Sequence, residues 1–282
     1  GMLVSLELAR AATASCDCLT EPLSVMTAAG VQLEQVGQRI ADSFLAEWTS
    51  ARGSLPLRSI AIVDDEPQGQ YLYPEFLLCQ RLLGRAGWRV MIADAASLVL
   101  QDGAIFAAGE RIDLIYNRVT DFYLEDERHA VLRRAYELDL AVITPHPAAH
   151  ARWADKRLLA WLNDEELLME AGLDANDRAH LRQTIPATEV VAPAAADDLW
   201  KRRKGLFFKP VAGFGSKAAY RGDKLTRATF DRILAQRYVA QAIAPTSFRR
   251  VSSADGVDAD LRVDVRSYAM HGETWLRSAR LY

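Results

Sequence analysis

Lys209 stands inside an apolar run and is followed at once by a glycine-bearing turn: from Gly205 to Gly222 the chain reads GLFFKPVAGFGSKAAYRG. Glycines let main-chain N–H groups come close to an anion and a neighbouring ammonium adds compensating charge, so phosphate binding is the chemistry these residues could serve. A hairpin turn and a strand lysine whose tip reaches water explain the same residues without a ligand. The two phenylalanines before Lys209 and the proline after it predict a buried strand, where an ammonium needs a reason to be present. The stretch GFGSK is not a P-loop, because Ser216-Lys217 reverses the Lys-Ser/Thr order and the flanking spacing differs.

Other polar residues of the second half fall at element ends. Lys156 lies near the start of a helix in ADKRLLAWL, Gln241 ends the apolar run YVAQ, and Asp264 and Arg266 alternate in LRVDVRSYAM. Taken singly, Lys156 reads as an exposed helix lysine, and Asp264 with Arg266 as a solvated strand face. In the first half, Asn117-Arg118 closes IDLIYNR, and polar groups at the carboxyl ends of sheet strands commonly face a crevice, which makes both substrate-binding candidates. Asp64, Asp65 and Glu66 hold a similar position and either attract an amine or cap the next helix. His146 and His150 have a helix-compatible spacing, but Pro147 and the two alanines between them predict a loop beside the domain junction rather than a metal site.

The elements that must position these residues follow from periodicity. Apolar residues from Val31 to Trp48 recur at helical spacing, and TSARGSLPLRS breaks the chain before the buried strand Ile60–Val63. A helix from Pro74 to Arg85, a strand Arg89–Ala93, a hairpin turning at Asp102-Gly103, the strand IDLIYNR, a helix Glu125–Leu138 and the strand AVITP continue an α/β pattern with parallel strands. No dinucleotide fingerprint follows any of them. Beyond Pro147, WADKRLLAWLNDEELLMEAGL reads as helical, and LFFKPV, KAAYRG, YVAQAIA, LRVDVRSYAM and TWLRSARLY predict antiparallel strands around a helix Thr226–Ala235. The expected organisation is an N-terminal helical segment, 1–54, a Rossmann-like α/β domain, 55–150, and an α+β domain, 151–282.

The 282 residues are half hydrophobic, enough for a substantial core. A net charge of −3 gives no global attraction to nucleic acid or to an anionic membrane, so an anion site must be local. The cysteines, Cys16, Cys18 and Cys79, lack a zinc or redox spacing and suit a reducing cytoplasm; neither a signal peptide nor a membrane span is expected.

Read in order, ADKRLLAWL, FFKPVAGFGSKAAYRG, YVAQAIAP and LRVDVRSYAM resemble the ATP-grasp superfamily, and more narrowly the circularly permuted ATP-grasp group related to glutathionylspermidine synthase, in which segments like GERIDLIYNR and VITPHPAAHARWADKRLLAWL also occur in that order. The resemblance covers about residues 60–282. It implies a Rossmann-like pre-ATP-grasp domain followed by an ATP-grasp domain whose antiparallel strands surround a nucleotide cleft. It further implies ATP and Mg2+ as cofactors, and a carboxylate–amine ligase that passes an acyl phosphate to an amine, acting on a small peptide or amino-acid-like substrate.

Residue by residue, the resemblance implies that Lys156 and Lys209 contact phosphates. Gly213, Gly215 and Ser216, with Lys217, form the closing loop; Gln241 faces the adenine amino group, with Ala242 and Ile243 as its hinge. Arg266 stabilises the transferring phosphoryl group, Asp264 is a magnesium ligand, and Arg280 is the last phosphate-facing candidate. The superfamily continues past a segment like RLY to further metal ligands, so a truncated chain or an incomplete metal site is expected. A nucleotide-binding but catalytically degenerate protein, and a nucleotide-independent anion-binding protein, therefore stay open beside the ligase. Small acid and amine substrates are the expected partners, and the pattern is compatible with a homo-oligomer.

Overall fold

The computed structural model describes residues 1–15, 33–213, 217–252, 256 and 258–282. The chain is a mixed α/β protein with a parallel sheet and antiparallel sheets, divided into two compact units, 1–147 with 246–282, and 148–245. These units cut the chain differently from the expected segments 1–54, 55–150 and 151–282, since the last stretch groups with the first.

The first unit opens with helices α1 (Met2–Ser15) and α2 (Leu33–Arg52). Strand β1 (Ser59–Asp64), helix α3 (Tyr73–Arg85) and strand β2 (Arg89–Asp94) follow. A small antiparallel sheet of β3 (Val99–Gln101), β4 (Ala104–Ala107) and β5 (Glu110–Arg111) turns at Asp102 and Gly103, with φ of 49° and 70°. Positive φ at both central residues is the hairpin geometry that an Asp-Gly pair favours. Then come β6 (Leu114–Asn117), helix α4 (Ala130–Glu137) and β7 (Val142–Thr144).

Strands β1, β2, β6 and β7 form a parallel sheet in the order β2-β1-β6-β7. β1 is buried at all six positions, as expected of a strand covered on both faces. One of its faces joins Ile60 and Ile62 to Phe44, Phe76 and Leu83; the other joins Ala61 and Val63 to Ile105, Ile115 and Leu132. The expected helix Glu125–Leu138 is shorter, because Glu127–His129 forms a separate 3-10 turn capped by the Asp126 carboxylate before α4 begins.

Helix α5 (Pro147–Trp153) begins at the last residue of the first unit's opening stretch, and the second unit continues with α6 (Arg157–Trp161), α7 (Glu165–Glu170) and α8 (Ala175–Thr184). Residues 153–173, expected to be helical, form α6 and α7 as separate pieces, because Asp155 and Asp164 each accept a downstream N–H with their side chains and start a new helix. The loop expected at 146–150 also differs: Pro147 begins α5 and His150 lies within it, since proline is accepted in a first helical turn. Next are β8 (Thr188–Val190), α9 (Ala196–Arg202), β9 (Leu206–Pro210), β10 (Tyr220–Arg221), α10 (Arg227–Leu234) and β11 (Tyr238–Ala242). The antiparallel order is β10-β9-β11-β8. Leu206, Phe208, Tyr238 and Ala240 meet Leu199, Phe230 and Ile233 in the core, leaving Phe207, Lys209, Val239 and Gln241 on the other face.

Strands β12 (Ser247–Ser252), β13 (Asp258–Met270) and β14 (Glu273–Leu281) make an antiparallel sheet. Trp275 and Leu276 are buried among Leu3, Leu6, Val36 and Ile40, which explains why 246–282 groups with the first unit. No helix among the described residues is long and apolar enough to cross a membrane.

Candidate functional site

The non-core face of the second unit's sheet carries the side chains that could do chemistry. Lys209 pairs with Val239 across β9 and β11, so Gln241, two residues on, is its diagonal neighbour on the same face. Lys209 Nζ donates to Gln241 Oε1 at 2.6 Å, and Gln241 Nε2 donates to Thr188 Oγ1 at 2.8 Å. The Thr188 hydroxyl in turn donates to the Pro186 carbonyl at 2.8 Å. An ammonium can only donate, so it fixes which end of the Gln241 amide faces it. Lys209 also lies 5.6 Å from the centroid of the Phe207 ring.

Lys156 immediately precedes α6, and its N–H donates to the Val211 carbonyl just beyond β9 at 3.1 Å. Its Nζ donates to the Gly213 carbonyl at 2.9 Å. Gly213 has a φ of +151°, and a Cβ there would lie 3.0 Å from Pro210 Cγ, so a side chain is disfavoured on both counts. Burial pulls the Lys156 ammonium below the usual lysine range, the Lys209 charge adds to the fall, and Asp155 opposes it. Burial likewise depresses Lys209. Asp155 is engaged by Arg157, whose guanidinium reaches it at 2.6 Å. Both lysines are half-buried, and the groups their ammonium tips touch are neutral: a backbone carbonyl and an amide oxygen.

The unit thus brings together Lys156, Lys209, Gly213 and Gln241. The Gln241 amide, expected at an adenine, is occupied by Lys209 and Thr188. The N–H groups of Ala242 and Ile243 donate to the Ala187 and Gly205 carbonyls at 2.7 and 2.9 Å. Lys217 is exposed, whereas Gly215 and Ser216 lie outside the described residues, as do Cys16, Cys18 and Val31.

Arg118, Asn117, Asp264, Arg266 and Arg280 belong to the first unit. Asp264 and Arg280 face each other across β13 and β14, and the guanidinium grips the carboxylate through Nε at 3.1 Å and Nη2 at 2.7 Å, with the Tyr282 hydroxyl at 3.3 Å. The Arg280 contact holds the Asp264 carboxyl below its usual range. Arg266 is exposed on β13 opposite Ser278. Among the described residues no group of three or more His, Cys, Asp or Glu is placed to hold a metal. The donor set around Asp264, a guanidinium and a phenol, does not suit Mg2+, which requires several oxygen ligands.

Sequence reasoning passed over two features. Thr188 carries no signal of its own and becomes meaningful only opposite Gln241 in the ladder. In the first unit His129, almost wholly buried, holds Asp121 through Nδ1 and Asp65 through Nε2, each at 2.8 Å. Burial alone would lower the His129 pKa, but the hydrogen bonds to Asp121 and Asp65 outweigh it and raise the value. Cys79, the free cysteine among the described residues, is buried and its thiol is pushed up to about 12, so it is an inert core residue.

No protein-family model matches the chain, and no curated protein does. Among solved structures it is similar to ATP-grasp ligases. D-cycloserine synthetase DcsG aligns over 79% of this chain and 74% of its own, with 22% identity and a TM-score of 0.42. The ATP-grasp ligase PsnB, complexed with a minimal precursor, Mg and ADP, aligns over 81% and 77%, with 17% identity and a TM-score of 0.40. A glutathione synthetase-like effector, GSS30 from Globodera pallida in apo form, aligns over 83% of this chain with 9% identity and a TM-score of 0.47. This chain spans about half of that effector, 52%. Likenesses this distant assign no residue and no activity.

Proposed function

We propose that the protein binds ATP through its second unit and serves as an ATP-dependent carboxylate–amine ligase on a small peptide or amino-acid-like substrate. The observation that carries the nucleotide reading is the pair of half-buried ammonium groups, Lys156 and Lys209, touching neutral acceptors. Burying positive charge beside a second positive charge is costly, and a polyphosphate on the same face offsets that cost. The motif order, which resembles the ATP-grasp superfamily, supplies the reaction class.

In this reading Lys156 and Lys209 hold the phosphates as point charges. Gln241 is a positioning residue that, with Thr188 behind it, aims Lys209. Gly213, Gly215, Ser216 and Lys217 form the loop that excludes water. When bound, ATP supplies the phosphoryl group that activates a carboxylate for attack by an amine. Arg266, Asp264, Arg280, Asn117 and Arg118 enter no step here, and no step is routed through magnesium.

A nucleotide-binding protein without turnover is the second reading, favoured by the commitment of Asp264 to Arg280. Phosphate release from ATP in the presence of amino acids and dipeptides separates the two. Release that requires both an acid and an amine, and that disappears in Lys209→Ala, supports the ligase. Saturable ATP binding with no release under any pairing supports the second reading.

A further inference from the structure

The parallel sheet of the first unit has a reversal in its strand order. From β1 the chain moves to β2 on one side and then returns to β6 on the other, so the carboxyl ends of β1 and β6 flank a switch point. Crevices at such points are where open α/β sheets take ligands. Val63 pairs with Asn117 in register, and the Arg118 N–H donates to the Val63 carbonyl at 2.8 Å, which sets Asp64 and Arg118 side by side at the strand ends. Arg118 lies over Tyr116, 5.2 Å from the ring centroid, and Tyr116 pairs with Ile62. Side chains alternate along a strand, so Asp64 and Arg118 belong to the face that carries Ile62 and Tyr116.

The other carboxylates at this edge are engaged. Asp65 holds His129, and Asp94 accepts the N–H groups of Ala96 and Glu66. Asp64 is only 8% exposed, and the hydrogen bond it accepts comes from the N–H of Asp65. Of the guanidinium donors of Arg118, Nη1 meets the Tyr116 hydroxyl at 3.3 Å. Although the two charges are neighbours, their hydrogen bonds among the described residues go elsewhere, from the Asp65 N–H to Asp64 and from Arg118 to the Tyr116 hydroxyl. Burial raises the Asp64 pKa, and the Asp65 N–H and the nearby Arg118 guanidinium oppose the rise.

We infer that the Asp64–Arg118 edge is a binding site for an α-amino acid zwitterion, with the ligand carboxylate on Arg118 and the ligand ammonium on Asp64. An open guanidinium edge suits a planar carboxylate, and a carboxylate beside it suits the ammonium one carbon away. Asn117 orients the strand end, its Oδ1 accepting the Val119 N–H at 3.2 Å. The inference does not rest on the nucleotide reading.

Calorimetric titration of the full chain with glycine, L-alanine and L-glutamate, beside N-acetyl-L-alanine and L-alaninamide, tests it. The expected result is saturable binding of at least one free amino acid, weakened about tenfold or more by either blocking group, by Arg118→Gln and by Asp64→Asn. Binding of the free amino acid with no ATP present separates this site from the nucleotide site. If no free amino acid binds, or if the blocked forms bind as well, the inference is overturned. That comparison uses the wild-type chain and stands even where a variant fails to fold.

Discussion

Lys209 Nζ donates to Gln241 Oε1 at 2.6 Å, diagonally across β9 and β11, and Thr188 fixes the far end of the same amide. A cation is thereby held by a neutral group on the half-buried face of a sheet. Its charge stays available to an incoming anion, where a carboxylate partner would cancel it.

Removing that charge should cost function more than stability. The folded Lys209 pKa is depressed below 10.5, so the native chain holds this proton less firmly than the unfolded chain does. The charged lysine therefore opposes folding below the unfolded value, and stability recovers as pH rises through the depressed folded value. Lys209→Met should unfold within about 1 kcal/mol of wild type at neutral pH in urea titrations, and should remove this component of the alkaline rise.

Gln241→Met tests the positioning role. It leaves the ammonium without its acceptor and Thr188 Oγ1 without its donor, so a loss of about 1–2 kcal/mol in unfolding free energy is expected. ATP affinity should fall about tenfold, less than for loss of Lys209 itself, in direct binding measurements. An unchanged affinity would show that Lys209 needs no orienting partner.

The strands that carry Lys209 and Gln241 were legible because their signals are local. A lysine between two phenylalanines and a proline marks a buried strand, and an apolar run ending in Gln241 marks another. Thr188 was invisible, since it meets Gln241 across 53 residues of sequence through strand pairing alone. The same limit hid the Asp264–Arg280 pair, which depends on the register of β13 and β14, and the burial of Trp275 and Leu276 against α1 and α2. The helical segment expected at 153–173 is divided at Asp155 and Asp164, whose side chains compete for backbone N–H groups in a way that apolar periodicity does not report.

Gly222 has a role independent of chemistry. A Cβ there would lie 1.9 Å from the Arg203 carbonyl oxygen and 2.9 Å from that of Leu206, and both are main-chain atoms that cannot step aside. Gly222→Ala should cost about 3 kcal/mol or more and lower the melting temperature sharply, whereas Gly205→Ala, with open space around its Cβ, should be mild by the same scan.

The Asp65–His129–Asp121 bridge gives the first unit a pH signature. The folded His129 pKa is raised above 6.5, so its contribution is complete below that value and is lost as pH rises through the folded value. For Asp121, burial alone would raise the pKa, but bonds from His129 and from the Asp126 and Glu125 N–H groups lower it below 3.8; its contribution is complete above 3.8 and fades as pH falls through the depressed value. His129→Gln keeps hydrogen-bonding capacity without the titrating charge. It should lose about 2 kcal/mol near pH 6 and flatten the wild-type decline above it, measured by urea unfolding across pH.

The central claim is that the two ammonium groups of the second unit hold ATP, and calorimetric titration of ATP into the wild-type chain, Lys156→Ala and Lys209→Ala measures it directly. Saturable binding to the wild type that each substitution weakens by about a hundredfold, with all three proteins equally folded, is the predicted result. Equal affinity in all three would contradict the account and leave the lysine pair without a ligand.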